Sequence, residues 1–339
     1  MKRFFGLLLL AGLFLGVSAD NLKTLRVKKD CSSAVTYGFS GGRFGDCLIA
    51  YMHAKWVSYI FRVPLLYKSF EYSNKLALSL EKQPLHSQRN YRNKAELSKK
   101  NVLPSSLNAN TLYTIPFFPE SRYGATRPHN RFMFFNFFVD WEDENFIKIL
   151  RSAIQPIKPL DLVYPPEGKI SIAMHVRRGG GFDGPLACEL GDDDRQDKTV
   201  GYADVNVEAK FPPQSYYIEQ LRVLDKLFQG RPLYVHVFTD DQNPQKLVDT
   251  YKKELGLSSI EFCYRTGTNK HDLNVLEDFF SLGNFDCLIR GDSNFALVAS
   301  KIFDYKLVVS PVYAHWEKNT LTIDRVDVRV NDEAFVYNY

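Results

Sequence analysis

Two arginines and a histidine stand together at the end of an apolar run in the second half of the chain. The run Ile170–Val176 contains His175 and is followed by Arg177, Arg178 and three glycines at residues 179–181. Guanidinium groups remain charged at any physiological pH and match the paired oxygens of a phosphate, and glycines let a ligand approach the backbone. We predict an anion-binding site here; the alternative is an ion-paired strand end.

A pair of carboxylates follows the next apolar run. Asp240 and Asp241 come directly after residues 233–238, where carboxylates can bind hydroxyl groups, orient arginines or hold a metal ion. One of them is also accounted for as the cap of the helical stretch that begins at Pro244. We predict that both line the same site and that Arg178 pairs with a carboxylate such as Asp240.

A third group of polar residues follows residues 285–289. Ser293, Asn294 and Phe295 begin the next helical stretch. Ser293 suits an N-cap, and the free backbone amides of a helix start also bind phosphate. Asp278, in the preceding helical stretch, is predicted to face the same crevice. Together with the arginines and the carboxylate pair, these residues predict a pocket for a sugar nucleotide diphosphate.

The elements that position these residues form a regular pattern. The predicted strands are residues 170–176, 233–238, 260–264, 285–289 and 307–310, and the predicted helices are residues 215–228, 244–255, 274–282 and 293–303. Near-continuous apolar strands alternating with helices are typical of a parallel sheet covered on both faces. Such sheets bind ligands at the carboxyl ends of their strands, which is where the polar residues occur.

The first half of the chain has one glycine-rich turn between predicted elements. We predict a strand at residues 35–39, the turn SGGRFGD at 40–46, a helix at 47–61, a strand at 63–67, a surface helix-and-loop region at 81–100 and a helix at 143–154. Residues 101–138 show no clear period. This half therefore opens with a strand, a glycine loop and a helix.

Length and composition fit a globular protein of two domains. The chain has 339 residues, and domains commonly have about 100–200. Four prolines between residues 156 and 166 predict a boundary, which gives domains 20–165 and 166–339. The net charge of +4, from 43 Lys and Arg against 39 Asp and Glu, is too small to favour nucleic-acid binding. The spacing of Gly41, Gly42 and Gly45 differs from the dinucleotide-binding G-x-G-x-x-G.

The first 19 residues have the pattern of a cleaved secretory signal. Lys2 and Arg3 precede an uncharged apolar run, and the small residues 17–19 provide a cleavage site. The alternative is an uncleaved anchor, although the run is shorter than the roughly 20 residues that span a bilayer. We predict a protein of the secretory pathway, in the Golgi or ER lumen or exported, with no stable membrane span once the signal is removed.

The five cysteines include no C-x-x-C pair, so a structural zinc site is unsupported. Cys263 and Cys287 lie in apolar strand-like runs and are predicted to be buried free thiols. Cys31 and Cys188 lie in polar stretches, where a disulfide between them is one possibility in an exported protein.

The order of the motifs resembles that of the fucosyltransferase superfamily and is most similar to the α1,2-fucosyltransferases of glycosyltransferase family 11. The shared motifs are His-x-Arg-Arg-Gly at 175–179, Tyr-Tyr at 216–217, Phe-Thr-Asp-Asp at 238–241 and Asp…Cys…Ser-x-Phe ending at 295. The family's opening Gly-Gly-x-x-Gly-Asn-x-x-x-x-Tyr segment is similar to residues 41–51, with Asp46 where asparagine is usual. The resemblance covers about residues 35–67 and 170–309.

The resemblance implies a GT-B-like α/β fold with two Rossmann-like halves, the C-terminal one a parallel sheet flanked by helices. It implies an inverting, metal-independent transfer of fucose from GDP-fucose to a glycan hydroxyl, without a cofactor. The N-terminal domain would bind the acceptor and the C-terminal domain the donor. The implied donor-binding residues are His175, Arg177, Arg178, Asp240, Asp241, Asp278, Ser293, Asn294 and Phe295, with Arg177 on the β-phosphate. The implied acceptor-side loop comprises Gly41, Gly42, Arg43, Gly45 and Asp46.

The chain departs from the family at one position that matters for catalysis. Gly180 stands where aspartate usually follows His-x-Arg-Arg-Gly, and the next carboxylate is Asp183. We therefore predict Arg177 and Asp183 as catalytic residues. Either the general base has moved, with Asp183 as the candidate, or the acceptor differs. The lost aspartate also favours an alternative, a secreted protein that binds carbohydrate or nucleotide sugar without turnover.

A metal-dependent transferase is a further alternative, resting on the acidic run at residues 192–194. That run lies in a polar loop that follows no predicted strand, so a solvated charge run accounts for it better.

Overall fold

The structure, a computed structural model, describes residues 33–39, 42–81, 88, 91–97, 105–116, 139–179, 210–267, 269–317 and 320–337. The predictions for the signal at residues 1–19, the pair Cys31 and Cys188, Gly41, Gly180, Asp183 and the acidic run at 192–194 lie outside these residues. Within them, no helix is both long enough and apolar enough to cross a bilayer.

A small parallel sheet forms the first half. Its strands are β1 (Ser33–Tyr37), β2 (Asn93–Glu96) and β3 (Thr111–Ile115), in the order β1-β3-β2. Helix α1 (Phe44–Phe61) follows β1 and is buried on nearly every side, and α2 (Glu144–Ala153) lies later in the chain. The predicted strand and helix are confirmed, although the helix begins at Phe44, inside the predicted turn at 40–46, of which residues 40 and 41 lie outside the described residues.

Two predictions for this half are wrong. Residues 63–67 form no strand, because the segment meets β1 only through one isolated bridge between Val35 and Leu65. Residues 93–96, predicted as surface helix or loop, form strand β2. This strand is exposed and mostly polar, so it is held in the sheet by backbone hydrogen bonds to β3. Its sequence therefore lacks the alternation of apolar and polar residues by which a half-buried strand is recognised.

A six-stranded sheet forms the second half. Its strands are β4 (Ile170–Val176), β5 (Leu233–Thr239), β6 (Ile260–Tyr264), β7 (Cys287–Arg290), β8 (Leu307–Glu317) and β9 (Thr320–Val330). The connecting and terminal helices are α3 (Gln214–Leu227), α4 (Pro244–Leu255), α5 (Val275–Leu282), α6 (Asn294–Ile302) and α7 (Glu333–Tyr337). The strand order is β6-β5-β4-β7-β8-β9, parallel except for β9. The predicted α/β class, with a C-terminal parallel sheet flanked by helices, is confirmed.

The sheet ends in a hairpin that the sequence prediction missed. The predicted final strand, residues 307–310, continues to Glu317 and returns as the antiparallel β9. Residues 326–330 alternate valine with charged residues, which is the period of a half-buried strand. The signal was therefore present in the sequence.

The two halves share one hydrophobic core. A single buried cluster includes Leu48 and Val57 of α1, Phe279 of α5, Val298 of α6 and Leu288 of β7. A second cluster lies on the other face of the six-stranded sheet, under α3 and α4. Helix α1 thus packs directly against the helices of the second half, which fixes the crevice at the ends of the strands. The proposed domain boundary at residue 165 stays a prediction.

Cys47, Cys263 and Cys287 are free thiols. Cys287 is fully buried, as predicted, whereas Cys263 is only half-buried.

Candidate active site

The crevice for a ligand is set by the order of the strands. Strand β4 lies at the centre of the sheet, the chain builds β5 and β6 on one side of it, and β7 and β8 follow on the other. In open α/β sheets ligands bind at the carboxyl ends of the strands where this order reverses. Arg177 and Arg178 leave β4 at that point. The sheet topology therefore places both predicted arginines at the crevice.

Carboxylates from the end of β5 hold the loop that follows β4. An Asp240 carboxylate oxygen accepts the backbone N–H of Arg178 at 2.5 Å, and Asp240 also accepts the N–H of Gly179 at 3.1 Å. Gly179 has φ +99°, a conformation that favours glycine. Burial raises the pKa of Asp240, an effect that Arg177 and the two N–H groups oppose.

The side chain of Arg178 pairs with Asp241. Its Nε lies 3.3 Å from Oδ2 of that residue. The expected ion pair is present, but its partner is Asp241 rather than Asp240, because the Asp240 carboxylate is used by the backbone. Direct donor contacts by Arg178 and the two aspartates stay predictions.

His175 is buried in the wall of the crevice. Its ring stacks on Phe295 at a centroid distance of 5.5 Å, and its carbonyl accepts the hydroxyl of Tyr217 at 3.2 Å. Burial, reinforced by Arg177 and Arg290, lowers the pKa of His175 to about 3. The imidazole is neutral at physiological pH, so the positive charge at this strand end comes from guanidinium groups.

Helix α6 begins at the same edge. Ser293 is its N-cap residue and is buried, yet its side chain makes no capping hydrogen bond. The amides of a first helical turn have no partner within the helix and attract anions. A phosphate role for Ser293 and Asn294 stays a prediction.

The start of α1 packs against the start of α6. A Cβ at Gly45 would lie 2.5 Å from the backbone nitrogen of Phe295 and 2.8 Å from the carbonyl carbon of Asn294. Asp46 accepts the N–H of Arg43 at 3.0 Å and also accepts the side-chain amide of Asn294. A carboxylate is favourable where two positive helix ends meet. The glycine loop predicted for the acceptor side therefore joins the two halves.

Asp278 is bound to an arginine that the sequence analysis missed. Arg265 comes directly after β6 and donates from Nε to Asp278 Oδ1 at 2.9 Å. Its position at the end of a correctly predicted strand is the sequence signal that could have identified it. Burial raises the pKa of Asp278 to about 6, although Arg265 opposes this shift. Donor recognition by Asp278 stays a prediction.

A second missed feature closes one side of the crevice. The ring centroid of the buried Phe211 lies 5.9 Å from the guanidinium carbon of Arg177 and 5.6 Å from Nζ of Lys210. The next residue, Pro212, packs on Gly291, where a Cβ would lie 2.9 Å from Pro212 Cδ. The segment thus places the guanidinium of Arg177 and the ammonium of Lys210 around one aromatic ring. Its only sequence signal is an aromatic residue before two prolines and a helix.

The raised pKa of Asp278 predicts a pH dependence of stability. The folded-state pKa of about 6 exceeds the ordinary value of 3.8, so the folded state binds this proton more tightly. The resulting stability is fully present below about pH 4 and is lost as the pH rises through 6. From pH 7.5 to 4, wild type should gain about 2 kcal/mol in free energy of unfolding relative to Asp278→Asn. Urea titrations at several pH values measure this, and parallel profiles would contradict it.

Among the residues that the structure describes, no group of three or more His, Cys, Asp or Glu side chains could hold a metal ion.

No protein-family model matches the sequence, and no curated protein matches it significantly. Solved structures of similar shape include an Arabidopsis thaliana FUT1 mutant in complex with GDP, at 13% identity and a TM-score of 0.48, covering 89% of this chain and 75% of that one. POFUT1 in complex with GDP-fucose has 11% identity and a TM-score of 0.43, covering 82% and 96%. The NodZ alpha-1,6-fucosyltransferase soaked with GDP-fucose has 12% identity and a TM-score of 0.39, covering 88% and 99%. At these values the similarities assign neither a family nor an activity to this chain.

Proposed function

We propose that this protein is an inverting glycosyltransferase that moves fucose from GDP-fucose to a hydroxyl group of a glycan acceptor. The observation that carries the proposal is the position of Arg177. Arg177 directly follows the central strand at the point where the strand order reverses, on the sheet edge where α6 begins. Its guanidinium carbon and the ammonium nitrogen of Lys210 lie 5.9 Å and 5.6 Å from the Phe211 ring centroid. Two cations and a helix N-terminus suit the diphosphate of a nucleotide sugar.

The choice of fucose and of guanosine rests on the motif resemblance. The motifs His-x-Arg-Arg-Gly, Phe-Thr-Asp-Asp and Ser-x-Phe lie at or just after the carboxyl ends of strands of one sheet, in the order of the fucosyltransferase superfamily. The α1,2 linkage and the role of Asp183 rest on this resemblance alone. A secretory location rests on the leader pattern of residues 1–19.

The proposed reaction is a single displacement at the anomeric carbon of the donor sugar. The acceptor oxygen forms a bond to the anomeric carbon while the bond from that carbon to the β-phosphate oxygen breaks. The electron pair leaves with GDP, and the acceptor proton passes to a carboxylate, for which Asp183 is the candidate. Arg177 stabilises the charge that develops on the leaving diphosphate. Electrostatic stabilisation of this kind is often the largest contribution to catalysis.

A binding protein without turnover is the second candidate. Gly180 in place of the aspartate that usually follows His-x-Arg-Arg-Gly favours it. Incubation with GDP-fucose and a mixture of glycans separates the two, because only a transferase releases GDP and yields a fucosylated product.

Binding of GDP tests the proposal directly. A ligand that binds only the folded state at about 100 times its Kd should raise the free energy of unfolding by about 2.7 kcal/mol. GDP and GDP-fucose should therefore raise the Tm of the mature chain, and UDP-sugars should do so less. Adding EDTA should leave the GDP effect and any turnover unchanged. A larger shift with UDP-sugars, or activity lost with EDTA and restored by manganese, would contradict the assignment.

A further inference from the structure

A buried asparagine ties the end of β5 to the loop that follows β6. Asn269 is 6% exposed, and its Nδ2 donates to the carbonyl oxygens of Thr239 at 2.6 Å and Asp241 at 2.9 Å. A side-chain amide nitrogen carries two N–H donors, and both are used here. The two carbonyls lie on either side of Asp240, so the amide determines the course of the backbone at that residue.

The side chain of Asp240 in turn holds the end of β4. The Asp240 carboxylate receives the N–H groups of Arg178 and Gly179, which directly follow Arg177. Hydrogen bonds to a charged acceptor are about twice as strong as those between neutral groups. Three neighbouring strand ends are therefore connected in series, from Asn269 through Asp240 to the residue after Arg177.

None of these bonds involves the side chain of Arg177. The chain of contacts orients the backbone from which the guanidinium projects. The orientation of this backbone matters for catalysis because a displacement of about 1 Å at a reacting group can lower the rate about a hundredfold.

We propose that Asn269 is a positioning residue for Arg177. Asn269 acts through the turn at Asp240, and it belongs to none of the sequence motifs from which the site was predicted. The inference rests on the proposed function, in which Arg177 stabilises the leaving diphosphate. It adds a determinant from the loop after β6, a strand end to which the sequence analysis assigned no role.

The test compares Asn269→Ala with Asn284→Ala. Asn284 also donates its side-chain amide to a backbone carbonyl, that of Val163 at 2.9 Å. It lies between α5 and β7, at the opposite edge of the sheet, so its loss removes a comparable bond far from the crevice. Hydrogen exchange at the Arg178 and Gly179 amides, the Tm, GDP affinity and the steady-state constants for GDP-fucose are measured for both variants and wild type.

In Asn269→Ala the amides of Arg178 and Gly179 should exchange roughly 5- to 30-fold faster, the effect of two lost hydrogen bonds. The kcat for GDP-fucose should fall about tenfold, with a smaller change in KM, because the bound donor meets a poorly oriented guanidinium. Asn284→Ala should lower the Tm but change neither the amide exchange at Arg178 and Gly179 nor the kcat. If Asn269→Ala does not fold, Asn269→Ser, whose hydroxyl retains one donor, should show the same changes at smaller size.

Two outcomes would overturn the inference. Unchanged exchange at Arg178 and Gly179 in folded Asn269→Ala would show that the strand ends are not coupled. Equal loss of Tm in the alanine variants with unchanged kcat would reduce Asn269 to a structural role. In both cases GDP binding by wild type would still support the proposed function. Failure of wild type to bind GDP would instead overturn the proposed function, and the role of Asn269 toward the donor with it.

Discussion

Arg177→Lys is expected to lower the turnover of GDP-fucose roughly 100- to 1000-fold, the usual cost of removing one stabilising donor from a developing charge. Lysine keeps the positive charge but presents a point charge in place of the planar fork that matches two phosphate oxygens. The backbone bonds from Asp240 to the residues after Arg177 remain in the variant. The loss therefore reports on the guanidinium itself. The measurement is the rate of GDP release at saturating donor, together with the Tm.

Two further substitutions serve as controls. Arg222→Lys changes an exposed arginine of α3 that bonds the Glu254 carbonyl, and it should leave turnover unchanged. Arg178→Lys should be milder than Arg177→Lys, because the Arg178 side chain pairs with Asp241 at the edge of the crevice. A folded Arg177→Lys protein with near-normal turnover would remove Arg177 from the mechanism.

Gly45→Ala is expected to destabilise the protein by about 3 kcal/mol, at the upper end of overpacking effects. The added Cβ would lie 2.5 Å from the backbone nitrogen of Phe295, so backbone rather than a flexible side chain must move. The movement would separate the start of α1 from the start of α6, and GDP affinity should fall as well. Thermal unfolding and GDP titration of the variant measure both effects.

The matched control is Gly230→Ala. Gly230 has φ +71° and no heavy atom within 4 Å of an added Cβ, so its substitution costs only the left-handed backbone strain of about 1–2 kcal/mol. GDP affinity should stay at the wild-type value. If Gly45→Ala resembles Gly230→Ala in both measurements, the close approach of the two helices does not support the site.

The structure changes the role expected for several predicted residues. The carboxylates of Asp240 and Asp241, which were predicted to bind the donor, contact the backbone and the side chain of the β4 end, and their contact with the donor stays a prediction. His175 is neutral and packed against Phe295. The carboxylates of these motif residues thus hold the loop that directly follows Arg177.

The second half of the fold could be predicted from the amino-acid sequence. Strands β4 to β7 and helices α3 to α6 were predicted within a few residues, because buried parallel strands are continuous apolar runs and their helices have a clear apolar face. The rule that ligands bind after such strands then selected Arg177, Arg178, Asp240 and Asp241 as candidate site residues, and the structure brings them together at one edge of the sheet. These features depend on residues close in the chain.

The packing of the whole chain determines which strands become neighbours and which side chains contact each other at their ends. Gly45 and Phe295, which are about 250 positions apart in the sequence, lie in close contact. Asn269, which follows β6, donates hydrogen bonds to backbone carbonyls at the end of β5. Strand β2 was likewise invisible, because an exposed polar strand is held by backbone pairing to β3 rather than by apolar residues. Local patterns record which face of an element is buried. Local patterns do not show which distant element covers that face. For this reason residues such as Asn269 and Gly45 could be recognised only in the tertiary structure.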